Sequence, residues 1–277
     1  MRLFVFGMGY SAGVLAAGLR ARGWQVEGTG RGGTIAFDDE AAVLRALGQA
    51  SHVLSSVPPG RDGADPVLAR YRDGTAAVGW IGYLSSTGVY GDCGGAWVDE
   101  TAPVGTGRRQ LRSAADLAWQ GMGARVFRLP GIYGPGRSAI DRLRDGTAKR
   151  LIAPGQVFSR IHVEDIAGGV IAGMTAPAGV YNLADDEPCS QNAVIEEAAR
   201  LIGVDPPPLV PLASAGLSPM ALAFYAENRR VANGKARRVL GWRPRFPTYR
   251  EGLRACNATI SPTSDSAAPP AFSPVQR

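Results

Sequence analysis

The stretch RLFVFGMGYSAGVLAAGLR, residues 2–20, decides the fold of this chain. Its opening segment, Arg2–Phe6, is a mainly apolar run that predicts a strand ending at Gly7. Apolar residues then recur at helical spacing through Ser11–Arg22, which predicts a helix directly after the strand. A strand, a glycine turn and a helix in this order form the first unit of a parallel α/β sheet.

The turn between them has the spacing of a phosphate-binding turn. Residues 7–12, GMGYSA, satisfy the pattern GxGxxG/A. Gly7 permits the tight turn, Gly9 leaves room for a pyrophosphate, and Ala12 lets the helix pack closely on the strand. Tyr10 and Ser11 stand at the helix N-terminus, where free N–H groups and the helix dipole favour an anion. The motif therefore predicts dinucleotide binding.

Alternating apolar runs and helical periods continue this unit along the chain. Further strands are predicted at Gln25–Thr29, Thr34–Phe37, Ser51–Val57, Ala77–Ser85, Arg125–Leu129 and Val180–Ala184. Further helices are predicted at Asp39–Gly48, Gly107–Gly121, Val163–Met174 and Gln191–Leu201. The sequence thus predicts a Rossmann-type, doubly wound parallel sheet of about seven strands.

After Pro130 the elements become short and are interrupted by Gly and Pro, which predicts a small C-terminal substrate lobe. We expect residues 1–256 to form one dinucleotide-binding domain, with this lobe interleaved at about 133–160 and 186–256. Residues 257–277 are rich in Ser, Pro and Ala and nearly uncharged, which predicts a disordered tail.

Composition narrows the class of protein further. The chain has 277 residues and a net charge of +6, but its positive charges are scattered, so nucleic-acid binding is not favoured. No apolar run is long enough to span a membrane, and the N-terminus does not have the pattern of a secretory signal. Three cysteines without a CxxC pair and two histidines predict no disulfide framework and no metal site. A cytoplasmic location is expected.

The end of the second strand indicates which dinucleotide binds. An acidic residue there would bind the adenosine ribose of NAD, but Gly30 occupies that position. Arg31 follows and is placed to pair with a 2′-phosphate, whereas Glu27 lies within the strand. NADP is therefore the expected cofactor, with NAD as the alternative.

The same turn also matches a different motif. Residues 9–13, GYSAG, fit the GxSxG nucleophile elbow, with Ser11 as the nucleophile of a serine hydrolase. Such a site would need an acid, Asp65 or Asp99, and His162. An elbow normally follows a later strand than the first, so this alternative is the weaker one.

Five motifs in chain order resemble those of the extended or atypical short-chain dehydrogenases/reductases, of the NAD(P)-dependent epimerase/dehydratase family. They are GMGYSAG (7–13), SSVPP (55–59), YLSSTGVYGD (83–92), RLPGIYGPGR (128–137) and RIHVEDIA (160–167). The resemblance implies a cofactor site formed by one group of residues: Gly7, Gly9, Tyr10, Ser11, Ala12, Asp38, Ser55, Ser56, Val57, Pro58, Pro130, Gly131 and Ile132.

The resemblance also implies residues for catalysis and substrate binding. Ser86 matches the active-site Ser/Thr of the family, and Thr87 beside it could share the task. The side chains implied to face substrate are Tyr90, Arg128, Tyr133 and Arg137. His162 and Asp165 would fix the contact between the sheet and the lobe, and a homodimer could form through the helix at 107–121.

One departure from the family pattern bears on the reaction. The family carries Tyr-x-x-x-Lys on the helix after the fifth predicted strand, but here Arg108 and Arg112 occupy those two positions. Arginine does not exchange protons near neutral pH, so an acid such as Tyr90, Tyr133 or a water chain would have to replace the tyrosine. Alternatively, Arg108 polarises a carbonyl or phosphate.

The function predicted is an NAD(P)-dependent oxidoreductase or epimerase acting on a small polar substrate, a sugar nucleotide or an acid. A non-catalytic dinucleotide-binding sensor is the alternative.

Overall fold

The computed structural model describes residues 1–60, 62–105 and 110–260, with the side chains of Met220 and Ile260 left out. The strands in these ranges are β1 (Arg2–Phe6), β2 (Gln25–Gly28), β3 (His52–Ser55), β4 (Trp80–Ser86), β5 (Trp97–Val98), β6 (Arg125–Leu129), β7 (Gly131–Tyr133), β8 (Arg150–Ile152), β9 (Arg160–His162), β10 (Gly179–Asn182), β11 (Leu209–Pro211) and β12 (Arg230–Val231). The helices are α1 (Tyr10–Arg20), α2 (Glu40–Gln49), α3 (Pro66–Ala76), α4 (Gln110–Gly121), α5 (Ala139–Arg144), α6 (Val163–Ala172), α7 (Gln191–Ile202), α8 (Pro219–Tyr225), α9 (Gly234–Leu240) and α10 (Tyr249–Ile260).

Six parallel strands form the central sheet, in the order β10-β6-β4-β3-β1-β2. One face packs on α1 and α6 through residues such as Leu15 and Val170, and the other packs on α2–α4 through residues such as Leu47 and Trp119. The predicted Rossmann-type, doubly wound sheet is thereby confirmed. The chain reverses direction across the sheet at β1, where β2 and β3 lie on opposite sides, and ligands bind at this point in such sheets.

The predicted strand at Thr34–Phe37 is wrong, which is why the sheet has six strands rather than about seven. Ile35 makes only an isolated bridge with Thr29. The chain folds back so tightly after β2 that a Cβ at Gly33 would lie 2.1 Å from the carbonyl oxygen of Gly28. Such a fold-back leaves no extended edge for a further strand.

Two helices differ from the sequence interpretation. Helix α3 has no counterpart in that interpretation; Asp65 caps it by accepting hydrogen bonds from Val67 and Leu68 N–H, both 3.0 Å. The helix predicted from Gly107 is described from Gln110 onward, because residues 106–109 lie outside the described ranges.

The small lobe has its own apolar core between α5, α7 and α10, with Ile140, Ile195 and Leu253 among its fully buried residues. Helix α10 runs to Ile260, beyond the point where the predicted tail begins at Asn257. Residues 261–277 lie outside the described ranges. Within those ranges, no helix combines the length and apolar character needed to cross a bilayer.

Candidate functional site at the carboxyl ends of the strands

The turn between β1 and α1 is shaped by close packing on one side and by open space on the other. Gly7 has a φ of +80°, and a Cβ there would lie 2.8 Å from Cγ2 of Val57. A Cβ at Gly9 would meet only the Gly7 carbonyl oxygen, at 3.9 Å. The protein's own packing therefore requires glycine at position 7, whereas position 9 opens into space that a ligand can use.

The N-terminus of α1 faces the same space. Gly9 is the N-cap residue and supplies no side-chain cap, so the first N–H groups of the helix have no intrahelical partner. Ala12 is buried behind the turn, where a larger side chain would separate the helix from the strand. A bare backbone corner with free N–H groups fits the pyrophosphate of a dinucleotide.

A groove of about 320 Å³ extends from this corner across the carboxyl ends of β3, β4 and β6. The predicted site residues that line it are Gly7, Gly9, Tyr10, Ser11, Ser56, Pro58, Ser86, Arg112, Ile132 and Arg137. Leu84, Ser85 and Leu129 also line it. Residues from four separate predicted motifs are thus brought to one surface.

Ser55, Thr87 and Pro130 are predicted residues that do not line the groove, whereas Ser56 lines it and also supports the turn. Ser55 is fully buried, and its Oγ accepts a hydrogen bond from Val57 N–H at 3.4 Å. The Oγ of Ser56 donates to the Gly7 carbonyl at 2.5 Å and so ties β3 to the turn. Thr87 and Pro130 line a separate small void.

Ser86 and Thr87 have different surroundings. The Oγ of Ser86 accepts a hydrogen bond from Gly88 N–H at 3.1 Å, which leaves its hydroxyl proton available to a ligand in the groove. Thr87 is buried, and its Oγ1 donates to the Leu129 carbonyl at 3.5 Å. Of the two, Ser86 is the one placed to contact a substrate.

Arg112 lies on α4 and lines the groove opposite the glycine turn. It stands one helical turn before Asp116, whose carboxylate is fully buried below the groove. Arg108 lies outside the described residues.

Arg128 and Tyr90 are in the core and do not face the groove, contrary to the sequence expectation. Arg128 is 2% exposed and pairs with Asp116, with Nη2 2.7 Å from Oδ1. The Tyr90 hydroxyl accepts a hydrogen bond from Arg128 at 3.0 Å and donates to Asn182 Oδ1 at 2.7 Å. Asp116 also accepts a hydrogen bond from Ser85 Oγ at 2.5 Å. The reason is electrostatic: the buried carboxylate turns the guanidinium inward.

The tyrosines near the groove are poor proton donors. Burial raises the pKa of Tyr10 to about 12, and its hydroxyl donates to the Pro135 carbonyl at 3.0 Å. Burial also raises the pKa of Tyr90 and of Tyr133. Tyr133 packs edge-on against His162, and its hydroxyl has no hydrogen-bond partner among the described residues. A phenol that exchanges protons near neutral pH is not found in this part of the structure.

The segment after β2 carries the predicted adenosine contacts. Arg31 and Asp38 are both exposed, and neither side chain has an ion pair among the described residues. Glu27 lines a crevice with Ala46 and Ala50, away from the groove. Gly30 has a φ of +93°, and a Cβ there would lie 3.0 Å from Met8 N, so the glycine turn itself excludes an aspartate at this position.

A second cavity, of about 510 Å³, adjoins the groove and lies against the small lobe. Ile132 and Arg137 line both spaces, and the guanidinium of Arg137 stacks on the Tyr10 ring at 4.3 Å. Gly131 and Tyr133 line the cavity from β7. The sequence interpretation missed its remaining lining, which includes Arg142, Phe158 and Tyr225, because these residues belong to no motif and are brought together only by the lobe.

His162 and Asp165 hold α6 against the lobe. The Asp165 carboxylate accepts hydrogen bonds from the backbone N–H groups of Arg245 and Phe246. His162 packs between Tyr133 and Phe246, and its Nδ1 accepts from Glu164 N–H at 3.3 Å.

The structure does not assemble a hydrolase triad around Ser11. The chain has two histidines. His162 is 1% exposed and has the lobe contacts just described, and His52 begins β3 at the opposite end of the sheet. Within the described residues, no group of three or more His, Cys, Asp and Glu side chains could hold a metal ion.

Comparison with known proteins extends these findings. No protein-family model matches this sequence. The 3-diazoavenalumate denitrifying reductase of Streptomyces sp is 33% identical in an alignment of 159 positions that covers 52% of this chain and 49% of the reductase. The chain thus spans about half the length of that relative. Protein YeeZ of Escherichia coli strain K12 is 29% identical in an alignment of 239 positions that covers 74% of this chain and 85% of YeeZ.

Solved structures share the fold over nearly the whole chain. A functionally unknown conserved protein from Silicibacter pomeroyi DSS is 44% identical, with a TM-score of 0.83 over 93% of this chain and 98% of its own. Human epimerase family protein SDR39U1 with NADPH has a TM-score of 0.73 at 18% identity, covering 93% and 99%. The dTDP-glucose 4,6-dehydratase of Bacillus anthracis str. Ames with NAD has a TM-score of 0.72 at 14% identity, covering 95% and 97%. The fold implied by the five motifs is confirmed.

Proposed function

On the premise that this chain is, by fold, an extended short-chain dehydrogenase/reductase of the epimerase/dehydratase type and belongs to one family with the Silicibacter pomeroyi protein, we propose that it is an NADPH-dependent reductase. The observation that carries the proposal is the open corner at Gly9, where a Cβ would meet nothing closer than 3.9 Å. That corner, the uncapped helix α1 and the groove across the strand ends fit a dinucleotide.

The preference for NADPH is proposed from the charges after β2. Arg31 is an exposed cation without an ion pair among the described residues, and it lies three residues after β2 ends at Gly28. Glu27 faces away from the groove, and Gly30 cannot be replaced by an acid without moving the turn. A 2′-phosphate would therefore meet a positive charge, whereas a ribose hydroxyl would meet no carboxylate at the strand end.

Reduction is proposed over epimerisation because of the groups that reach the groove. Removing a proton from an alcohol requires a base, and the phenols near this site have raised pKa values. Hydride transfer to a carbonyl requires a hydrogen-bond donor and a positive charge to stabilise the developing alkoxide, and solvent water would supply the proton that completes the reduction. The Ser86 hydroxyl would donate to the accepting atom, and Arg112 would stabilise the developing negative charge. Bound NADPH would supply the hydride.

The test is a fluorescence titration of the full chain with NADPH. Gly9→Val would place a side chain in the open corner, where its Cβ meets nothing of the protein closer than 3.9 Å, so we expect at least a tenfold loss of affinity with an unchanged melting temperature. Gly13→Ala is the matched control, because a Cβ there meets nothing within 4 Å and its affinity should match wild type. Equal NADPH binding by wild type and Gly9→Val would contradict the proposed site.

Turnover is tested separately with NADPH and a panel of small carbonyl and acidic compounds. We expect NADPH oxidation that falls by two orders of magnitude or more in Ser86→Ala, while NADPH affinity is unchanged. Tight NADPH binding without oxidation of the cofactor by any compound would favour the sensor alternative. The expected homodimer and cytoplasmic location stay predictions.

A further inference from the structure

The second cavity is walled mostly by apolar and aromatic side chains. Phe158, Val194, Tyr225 and Leu253 contribute to its lining, and its volume is about 510 Å³. Cavities of roughly 300–1,000 Å³ with apolar walls and a few polar groups are typical of small-molecule sites. This cavity also opens onto the proposed nicotinamide end of the groove through Ile132 and Arg137.

Arg142 on α5 is an unpaired positive charge in this cavity. Its guanidinium makes no hydrogen bond or ion pair within the described residues. Arg142 is exposed to solvent over part of its surface, and partial desolvation by its neighbours and, second, the like charge of Arg160 lower its pKa. An anion bound there would therefore relieve a repulsion as well as form new hydrogen bonds.

Two charged neighbours of Arg142, Asp141 and Arg160, form hydrogen bonds with other groups. The Asp141 carboxylate caps α5, accepting hydrogen bonds from Ser138 N–H at 2.6 Å and Ser138 Oγ at 2.7 Å. Asp145 also lines the cavity and is exposed where the helix ends. Arg160 is held by backbone carbonyls, including those of Phe158 at 2.8 Å and Cys189 at 3.1 Å.

A second unused donor lies in the same cavity. The Gln191 Oε1 accepts a hydrogen bond from Arg160, but its Nε2 is buried without a partner among the described residues. The cavity lining thus carries the three guanidinium groups of Arg137, Arg142 and Arg160 against the two carboxylates of Asp141 and Asp145, and Gln191 adds an unpartnered amide N–H₂ group. Such an excess of donors calls for an oxyanion as the ligand.

We propose that the substrate is a small organic acid with an apolar body, whose carboxylate pairs with Arg142 while its reactive end points toward Arg137 and the groove. This inference rests on the proposed function and specifies its substrate. A planar guanidinium binds a carboxylate through two parallel hydrogen bonds. The hydroxyls and diphosphate of a nucleotide sugar would instead bury many polar groups against the apolar walls, which is unfavourable without partners.

The experiment measures binding by fluorine NMR with 6-fluoro-2-naphthoate as the probe, in the presence and absence of NADPH. The neutral 6-fluoro-2-naphthamide, phenyl phosphate and UDP-glucose are the competing compounds. The variants are Arg142→Leu, the conservative Arg142→Lys, and Arg144→Gln as the matched control. Arg144 lies on the same helix and is exposed, as Arg142 is, but it is outside the cavity lining.

We expect the naphthoate to bind at least tenfold more tightly than the amide, and more tightly than phenyl phosphate or UDP-glucose. Arg142→Leu should weaken naphthoate binding at least tenfold, Arg142→Lys should restore part of it, and Arg144→Gln should match wild type. The inference is overturned if the acid and the amide bind equally, or if Arg142→Leu binds naphthoate as tightly as wild type. It is also overturned if UDP-glucose or phenyl phosphate binds preferentially, or if naphthoate does not bind at millimolar concentration. The same samples are titrated with NADPH. NADPH binding without naphthoate binding overturns only this inference, whereas absence of NADPH binding contradicts the proposed function.

Discussion

Arg128 and Asp116 form an ion pair in the core directly below the groove, with Nη2 2.7 Å from Oδ1 and side-chain exposures of 3% and 0%. The pair joins β6 to α4, and Ser85 donates to the same carboxylate from β4. Arg112 stands one helical turn before Asp116 on α4 and reaches the groove. The buried pair therefore fixes the helix that presents Arg112 to the proposed cofactor.

Breaking this pair should destabilise the protein strongly. Arg128→Met or Asp116→Leu leaves the other charge buried without its partner, so each should lower the free energy of unfolding by about 3–5 kcal/mol. The double variant should lose less than the two single losses added together. Urea denaturation of all three measures this coupling. The exposed pair Arg70–Glu40, 3.4 Å apart, is the control, and Arg70→Gln should change stability by less than about 1 kcal/mol.

The cofactor preference should depend on Arg31. Arg31→Ala should weaken NADPH binding about tenfold and leave NADH binding unchanged, because only the 2′-phosphate meets this charge. Arg22→Ala removes an exposed arginine that precedes β2, at the opposite end of the strand, and should alter neither affinity. Titration of the three proteins with both nucleotides decides the matter. If Arg31→Ala keeps the wild-type preference, the assignment of NADP is wrong.

Gly30 should not tolerate a side chain. Its φ of +93° disfavours any other residue, and a Cβ would lie 3.0 Å from Met8 N. Gly30→Ala should therefore lower the free energy of unfolding by at least about 1–2 kcal/mol, the usual cost of a left-handed conformation. Gly13→Ala, within α1 and in open space, should raise it by up to about 1 kcal/mol. Thermal and urea denaturation distinguish the two, and a stable Gly30→Ala variant would argue against the turn geometry.

Asp185 should make stability depend on pH. It is 2% exposed, and neither carboxyl oxygen has a hydrogen-bond partner among the described residues. Burial raises its pKa from 3.8 to about 8. The folded protein therefore binds this proton more tightly than the unfolded chain, so its contribution to stability is present at acidic pH and is lost as pH rises through about 8.

Asp185→Asn should remove that dependence. We expect the variant to gain on the order of 4 kcal/mol over wild type between about pH 5 and about pH 8.5, since the change accumulates over about three pH units below the folded pKa at about 1.4 kcal/mol each. Urea denaturation at both pH values measures the difference. A gap between variant and wild type that is independent of pH would show that Asp185 is ionised throughout this range.

Ser11 should not react as a hydrolase nucleophile. Neither histidine of the chain is placed beside it, so no base activates its hydroxyl. Incubation with a fluorophosphonate probe, followed by mass spectrometry, should leave Ser11 unmodified, with a known serine hydrolase as the positive control. Stoichiometric labelling of Ser11 would revive the hydrolase alternative.

The sequence predicted the sheet better than the small lobe because the two carry different local signals. The strands β1, β3 and β6 are apolar runs with clear ends, and the Gly7–Ala12 turn has fixed spacing. The false strand at Thr34–Phe37 has the right residue types, but the glycines before it fold the chain back on β2. Helix α3 was missed although its signal was present, since Asp65 and Pro66 form a typical helix start.

The candidate site was predictable where a motif fixes the backbone and less so where a side chain can turn. Ser86 lies in the groove because the end of β4 places it there. Arg128 follows the family pattern in position, yet its side chain turns inward to Asp116. A signal for this existed: Asp116 lies on the buried stripe of α4 with Ser113 and Trp119, so a cation had to be nearby. Arg142 had no such signal.

Ile132 and Arg137 line both the groove and the second cavity, which are built in different ways. The groove is formed largely by backbone at the strand ends, where substitutions would lower the stability of the sheet. The second cavity is formed mostly by side chains of the small lobe. Substitutions in the lobe could therefore change the proposed substrate preference and leave the proposed binding of the dinucleotide unchanged. A substitution at Ile132 or Arg137 would instead change the lining of the groove and of the second cavity together.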